Sequence, residues 1–324
     1  MKRMKLLMAS ISSAFTLVAA PALGQPYPDK PITLIVGFPP GGGVDMVARQ
    51  LADRLGQQLK QQVIVENRAG AAGNIAMEYI SHARPDGYVL LMGNVGMLTA
   101  NPLLYPKQAA DAVKKLMPVA RLVVTPLLAA VPSKAPASNI KQFIELAKSK
   151  PNAMFFGSGG SGNINHLAVE LLKIQTGIPL THVPYKGSAP SLTALAANEV
   201  QLVVDGVNVV LPQVTGGRAR ALAITGEKRT PALPEVPTMK EAGYPDLTIY
   251  GWQGLFAPAG TPQSVINTLT REVDKALANP DLASRFVKQG TDPAYQNPEE
   301  FQKYIASEQA RWAKVIRKAN IKIE

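Results

Sequence analysis

No cysteine occurs anywhere in the 324 residues. That excludes disulfides, thiolate metal centres and a lipid-modified cysteine anchor, and it leaves an ordinary buried core as the source of stability. Histidine is nearly absent too, with three residues. His82, His166 and His182 are too scattered for metal-ligand spacing, so no metal site and no cofactor are expected. Nucleotide motifs are missing: a dinucleotide fingerprint starting at Gly41 would need glycine where Met46 stands, and no Gly-Lys-Ser/Thr follows for a P-loop. Long apolar runs are scarce. After the N-terminus the longest is Val119 to Val131, and it contains Arg121 and Pro126.

The N-terminus is the exception. Lys2, Arg3 and Lys5 precede a mostly apolar stretch from Leu6 to Ala20, then Ala22-Leu23-Gly24 before Gln25, which are the three parts of a secretory signal peptide. The expectation is export to the periplasm with removal of residues 1–24, leaving a soluble chain. The formal charge of +11 then falls to +8. Nucleic acid is nevertheless a poor partner for this chain, because its basic residues are dispersed. The densest set, Arg311, Lys314, Arg317 and Lys318, ends a helix that opens with Glu299 and Glu300, a polarity that suits the helix dipole and a solvated face.

What is present is a strand-like run from Ile32 to Gly37, then Phe38-Pro39-Pro40-Gly41-Gly42-Gly43-Val44-Asp45, then helical periodicity in Val44, Val47, Ala48, Leu51, Leu55 and Leu59. Three glycines permit a tight turn, and the first amides of the helix lack intrahelical acceptors, so a carboxylate or phosphate could accept from them. The competing reading is a plain connecting turn. Asp45 reads as a stabiliser of the first helical turn rather than a ligand contact, since its charge would repel the anion that the amides attract.

The chain then alternates strand, loop and helix: strand Val63 to Glu66, helix Asn74 to Ala83, strand Tyr88 to Met92, an extended segment Pro118 to Val131 interrupted by Pro126, and helix Ile140 to Lys148. A second glycine loop, Gly157-Ser158-Gly159-Gly160-Ser161-Gly162-Asn163, follows strand Met154 to Phe156 and precedes helix Ile164 to Gln175. Further strands and helices run to a closing helix, Pro298 to Asn320. Alternation of this kind indicates an α/β fold, with loops at the carboxyl ends of the strands facing the ligand crevice. Catalytic readings are weak. Asn163 stands where a nucleophile elbow needs glycine, nothing marks an acid to orient a Ser161–His166 dyad, and Ser138-Asn139-Ile140-Lys141 is better explained by helix capping.

Longer motifs then point to one family. Phe38 to Asp45 with Ala48-Arg49, Val65-Glu66-Asn67-Arg68-Ala69-Gly70-Ala71-Ala72-Gly73-Asn74, Pro85-Asp86-Gly87-Tyr88, the second glycine loop with His166-Leu167, His182-Val183-Pro184-Tyr185-Lys186-Gly187, Asp205, and Gly254 to Pro262 resemble the Bug family. These are the TctC-like extracytoplasmic binding proteins of tripartite tricarboxylate transporters. The resemblance covers essentially the whole mature chain and departs at Pro106 to Met117, where Lys107-Gln108-Ala109-Ala110 looks inserted.

The resemblance implies a type II periplasmic-binding-protein fold, two α/β lobes with a ligand cleft between them: residues 25–124 and 248–324 in lobe 1, residues 125–247 in lobe 2. It implies a solute receptor rather than an enzyme, a monomer that captures a small carboxylate for membrane permease subunits. A ligand-presenting sensor for a two-component system, or a secreted serine hydrolase, are the alternatives. The ligand contacts that it carries over are Phe38, Gly41, Gly42, Gly43 and Asn94 from one lobe, and Ser158, Ser161, Gly162, Ser188, Ala189 and Asp205 from the other, with no catalytic residue. N-terminal sequencing of the exported form is expected to begin at Gln25, or at Leu23 if cleavage follows Ala22; an intact Met1 in the periplasm would disprove export by cleavage.

Overall fold

The computed structural model describes residues 27–151 and 153–322; the expected signal segment lies outside them. Its first unit is β1 (Ile32–Val36), α1 (Gly43–Leu59), β2 (Val63–Asn67), α2 (Asn74–Ser81) and β3 (Val89–Asn94). A π-helical turn (Gly96–Ala100), α3 (Asn101–Leu104) and α4 (Pro106–Lys114) lead into the 17-residue β4 (Leu116–Pro132). The middle of the chain supplies α5 (Ile140–Ser149), β5 (Met154–Ser158), α6 (Ile164–Thr176), β6 (Leu180–Pro184), α7 (Ser188–Ala196), β7 (Leu202–Gly206), α8 (Val207–Thr215) and β8 (Ala219–Ile224). The last part is β9 (Tyr250–Pro258), α9 (Gln263–Leu277), α10 (Pro280–Lys288), β10 (Asp292–Gln296) and α11 (Pro298–Lys318).

The strands follow the order β2-β1-β3-β9-β4-β7-β5-β6, with β8 and β10 also on β4. Strand β4 organises the molecule. Its first part, Leu116 to Pro126, runs antiparallel to β9, and its second, Leu127 to Pro132, runs antiparallel to β7 and β8. One strand therefore belongs to both lobes. Pro126 does not interrupt it as the sequence suggested; it stands opposite Tyr250 at the changeover, where an absent N–H costs little because pairing partners are being exchanged.

The strands are apolar on both faces, as sheets covered by helices must be. In β1, Ile32, Leu34 and Val36 enter the core beneath α1 and α9, while Ile35 enters the opposite one with Met77 and Ile80 of α2. In β4, Leu127, Ala129 and Val131 pack on one side, and Leu128 and Ala130 on the other with Val207 and Val210 of α8. Helix α11 starts with a capping box between Asn297 and Glu300 and buries Phe301, Ile305 and Trp312. Trp252 of β9 meets Phe301 edge-on at 5.2 Å between ring centroids.

Several elements differ from expectation. The apparent insertion at residues 107–110 is part of helix α4, which buries Ala109 and Ala112. Helix α10 and strand β10 escaped the sequence reading, although Asn279 caps α10 by accepting from the Leu282 amide and Pro280 follows at its first position. Only Leu282 and Phe286 of α10 are buried, which leaves too narrow an apolar stripe to stand out as periodic.

Gly254 shows how closely α11 is seated. A Cβ there would lie 2.3 Å from Phe301 Cζ and 3.1 Å from the Ala120 carbonyl. Gly254→Ala is expected to lower stability by about 1–3 kcal/mol through overpacking, read as an earlier urea midpoint at unchanged slope.

Candidate functional site

Helices α1, α6, α7 and α8 all begin at one cleft. It is lined by Gly42, Gly43 and Val44 at the start of α1, by Asn163 to Asn165 at the start of α6, by Gly187 to Pro190 at the start of α7, and by Gly206 and Asn208 at the start of α8. Each helix start has amides without intrahelical acceptors and the positive end of a dipole. Four of them around one space make that space favourable to an anion. The cleft is open at its mouth, and its atom-free space of about 770 Å³ includes solvent there. Its floor is the changeover itself: Thr125 and Leu127 of β4, Gly251 to Gln253 of β9, and Asp205 and Gly206 of β7.

The first glycine loop is held from below. Asp45 is buried, and its carboxylate accepts from the Gly41 amide at 2.9 Å, from Arg49 at 2.9 and 3.0 Å, and from Asn67 Nδ2 at 2.9 Å. Asn67 Nδ2 also donates to the Phe38 carbonyl at 2.9 Å. Burial alone would raise the Asp45 carboxyl, but the donors from Arg49, Gly41 and Asn67 outweigh it and hold it below the ordinary aspartate range. Asp45 is thus the loop's anchor, a role beyond the helix-turn stabiliser read from sequence, and it is absent from the cleft lining. Gly41 has φ +83°, the left-handed region that favours glycine, and its amide is already committed to Asp45.

The second loop is held by histidines. Ser158 is fully buried and its Oγ lies 2.6 Å from His182 Nε2. The Gly162 amide donates to His166 Nδ1 at 3.1 Å, so that nitrogen carries a lone pair. The imidazoles of His166 and His182 stack at 3.9 Å. The hydrogen-bonded serine–histidine pair is therefore Ser158, which is buried, with the half-buried His182, and not Ser161 with His166.

Of the residues singled out from sequence, the structure brings Phe38, Gly42, Gly43, Asn94, Ser188, Ala189 and Asp205 to the cleft. Gly41, Ser158, Ser161 and Gly162 are outside its lining: Gly41, Ser158 and Gly162 are occupied as described, and the Ser161 carbonyl faces the Tyr105 hydroxyl at 3.5 Å. The second loop meets the cleft instead through Gly159, Asn163 and Asn165. Sequence reasoning missed these, along with Thr125, Asn208 and Gln253. A signal existed for Gln253, a lone amide among Gly251, Trp252, Gly254, Leu255 and Phe256.

Asp205 and Lys186 are the acid and the base at the lining. Asp205 accepts from Asn165 Nδ2 at 2.9 Å and from the Gly206 amide at 2.7 Å, and also from the Ser188 hydroxyl. It joins the starts of α6, α7 and α8. Burial pushes its carboxyl above the ordinary aspartate range, against those three donors. The two lobes approach each other above it: a Cβ on Gly43 would lie 3.0 Å from Asn208 Nδ2, and one on Gly187 would lie 3.6 Å from the Pro39 ring. Among the described residues no cluster of three or more His, Cys, Asp or Glu could hold a metal ion, and no helix is long and apolar enough to cross a membrane.

The histidine pair gives a pH dependence with a definite sign. Burial, then the His182 and Lys173 charges, push His166 down to about 3. Burial and Lys173 push His182 down to about 4. Both lie below the value near 6.5 of an unfolded chain, so the folded state binds fewer protons in between. Their contribution is complete above about pH 6.5 and declines as pH falls toward the folded values, by at most about 1.4 kcal/mol per pH unit for each histidine. Urea unfolding at pH 7.5, 6 and 5 is expected to show this decline, and His182→Asn to flatten it. An equally steep decline in the variant would assign it to other groups.

Comparison with known proteins fits this geometry. Residues 47–321 match the family model described as the tripartite tricarboxylate transporter family receptor. Protein BugT of Bordetella pertussis is 35% identical over 308 residues, covering 95% of this chain and 94% of that protein. A protein of R. palustris solved with adipate is 35% identical with a TM-score of 0.88, covering 91% of this chain and 99% of that one. MatC from Rhodopseudomonas palustris with bound malate is 31% identical with a TM-score of 0.83, covering 90% and 100%. The architecture is the two-lobed type II periplasmic-binding-protein fold, and the matched proteins are solute-binding proteins rather than enzymes. With its fold and nearly its whole length matching theirs, the chain belongs to the tripartite tricarboxylate transporter receptor family.

Proposed function

We propose that the protein is a periplasmic receptor that captures a small organic carboxylate and delivers it, as a monomer, to the membrane permease subunits of a tripartite tricarboxylate-type transporter. The observation that carries this reading is the convergence of four helix starts on one cleft. Adipate and malate in the two solved relatives support the ligand class. The N-terminal signal pattern, removed at residue 24, supplies the route to the periplasm. Residues 25–124 with 248–324, and 125–247, are the two lobes, which pivot where β4 changes partners.

The magnitudes are consistent. A micromolar ligand needs about −8 kcal/mol, and hydrogen bonds to a charged group contribute roughly 1.5–3 kcal/mol each. Four or five suffice. In this reading Gly42, Gly43, Ser188 and Ala189 present amides to the carboxylate, Phe38 and Asn94 line its path, and Asp205 fixes the helix starts. Gly41, Ser158, Ser161 and Gly162 act from behind, by keeping the two loops in shape.

Thermal shift on protein stripped of carried-over ligand tests the reading. One of citrate, succinate, adipate, malate, glutamate, nicotinate or terephthalate is expected to add about 2.7 kcal/mol at a hundredfold excess over its dissociation constant, whereas the corresponding neutral amide does not. Gly43→Val, which places a branched side chain against Asn208, is expected to weaken that acid at least tenfold in calorimetric titration with an unchanged circular dichroism spectrum. No shift with any acid, or equal shifts with the amides, would overturn the assignment.

A further inference from the structure

Two side chains at the cleft floor hold buried polar atoms without a hydrogen-bond partner, Trp252 at its indole Nε1 and Gln253 at its amide, and of the two only the amide both donates and accepts. Gln253 is 8% exposed, its Oε1 is buried without a hydrogen-bond partner, and the described contacts give its amide no other bond. Its place is set by register. Gln253 stands opposite Asn94 on β3, as Leu255 stands opposite Met92. Residues two apart in a strand share a face, so Gln253 and Asn94 lie on the face of Leu255 and Met92, which is the face that α1 covers through Val44 and Val47. The amide therefore sits at the ends of the strands beneath the first turn of α1, and both it and Asn94 line the cleft. Asn94 is already engaged through its Oδ1, which accepts from the Met97 amide at 3.0 Å. Gln253 is left to meet the ligand.

We infer that Gln253 reads a hydroxyl on the ligand, so that the preferred acids are hydroxy acids; this rests on the carboxylate reading given above. A buried amide without a partner costs free energy in the empty protein and is retained where a ligand supplies the bond. The choice of hydroxyl follows from the surroundings. The buried Asp205 also lines the cleft, so the cleft already holds one acid, and a carboxylate brought close to it would meet a like charge. A hydroxyl both donates and accepts, and it satisfies the amide whichever way the terminal group is turned. A carboxylate satisfies only the amino side. A site built to bond a hydroxyl also discriminates against the analogue lacking it, because the amide is then left unpaired again.

Calorimetric titration of the stripped wild-type protein with pairs of acids that differ by one hydroxyl, malate against succinate and lactate against propionate, tests the inference together with Gln253→Leu and the near-isosteric Gln253→Met. The wild type is expected to bind the hydroxylated member of at least one pair tenfold or more tightly. In both variants the two members of that pair should come within about twofold, with the melting temperature near that of the wild type. Equal binding of both members of each pair by the wild type would overturn the role of Gln253 while leaving carboxylate capture intact. So would a hydroxyl preference that survives in a folded variant. Failure of these four acids and of the whole panel named above to bind would remove both readings. The wild-type comparison decides even if one variant does not fold.

Discussion

Backbone amides that an α-helix cannot satisfy are the constraint on which this structure depends. Every helix leaves its first N–H groups without acceptors, and most proteins scatter those ends over their surfaces. Here the starts of α1, α6, α7 and α8 open on one cleft. The arrangement demands close backbone approach, which explains the glycines, and it demands rigidity, because amides act together only if they stay aimed. Rigidity comes from side chains beneath the loops: Asp45 with Arg49 and Asn67 under the first, His182 on Ser158 and His166 on Gly162 under the second. None of these need touch a ligand to matter for its binding.

Sheet topology places those helix starts. Parallel strands β1 and β3 end at the cleft on one side, and β5, β6 and β7 end there on the other. Strand β4 runs through both groups and changes partners between Thr125 and Leu127, directly under the cleft. The site and the joint are consequently the same place. A ligand that bridges Gly43 and Ser188 would touch both lobes, and any change in their relative position alters the geometry of the amides at once. Helix α11 limits that freedom, because it packs Phe301 and Trp312 into the core shared with α6 residues Leu167 and Leu172.

Much of this was legible in the sequence, and the failures have physical causes. The glycine loops, the order of most elements and the place of Asp45 in a first helical turn follow from local rules: glycine permissiveness, helical period and the preference of acids for helix starts. Ser158 and Gly162 looked like free donors because sequence shows which groups can donate, not which are already taken; the partners that occupy them, His182 and His166, come from β6 and α6. Gln253 was missed for the opposite reason. It lies in an apolar strand where only the register with Asn94 reveals that its face reaches the cleft. Pro126 looked like a break because local rules assume that a strand keeps its neighbours, and β4 does not.

The charge balance of the cleft follows from the same design. A site for anions would seem to want arginine, yet the lining holds one exposed lysine, Lys186, and a buried acid, Asp205. A flexible cation must be ordered before it can bind, whereas helix amides are ordered by folding and cost nothing further. Aligning three helix starts, however, brings three positive ends together, and they repel one another. Asp205 answers that repulsion by accepting from Asn165 of α6, from Ser188 of α7 and from Gly206, the residue that caps α8. Its negative charge is engaged in holding the frame, so that the positive ends of these helices can stand together at one cleft without an arginine to fix them.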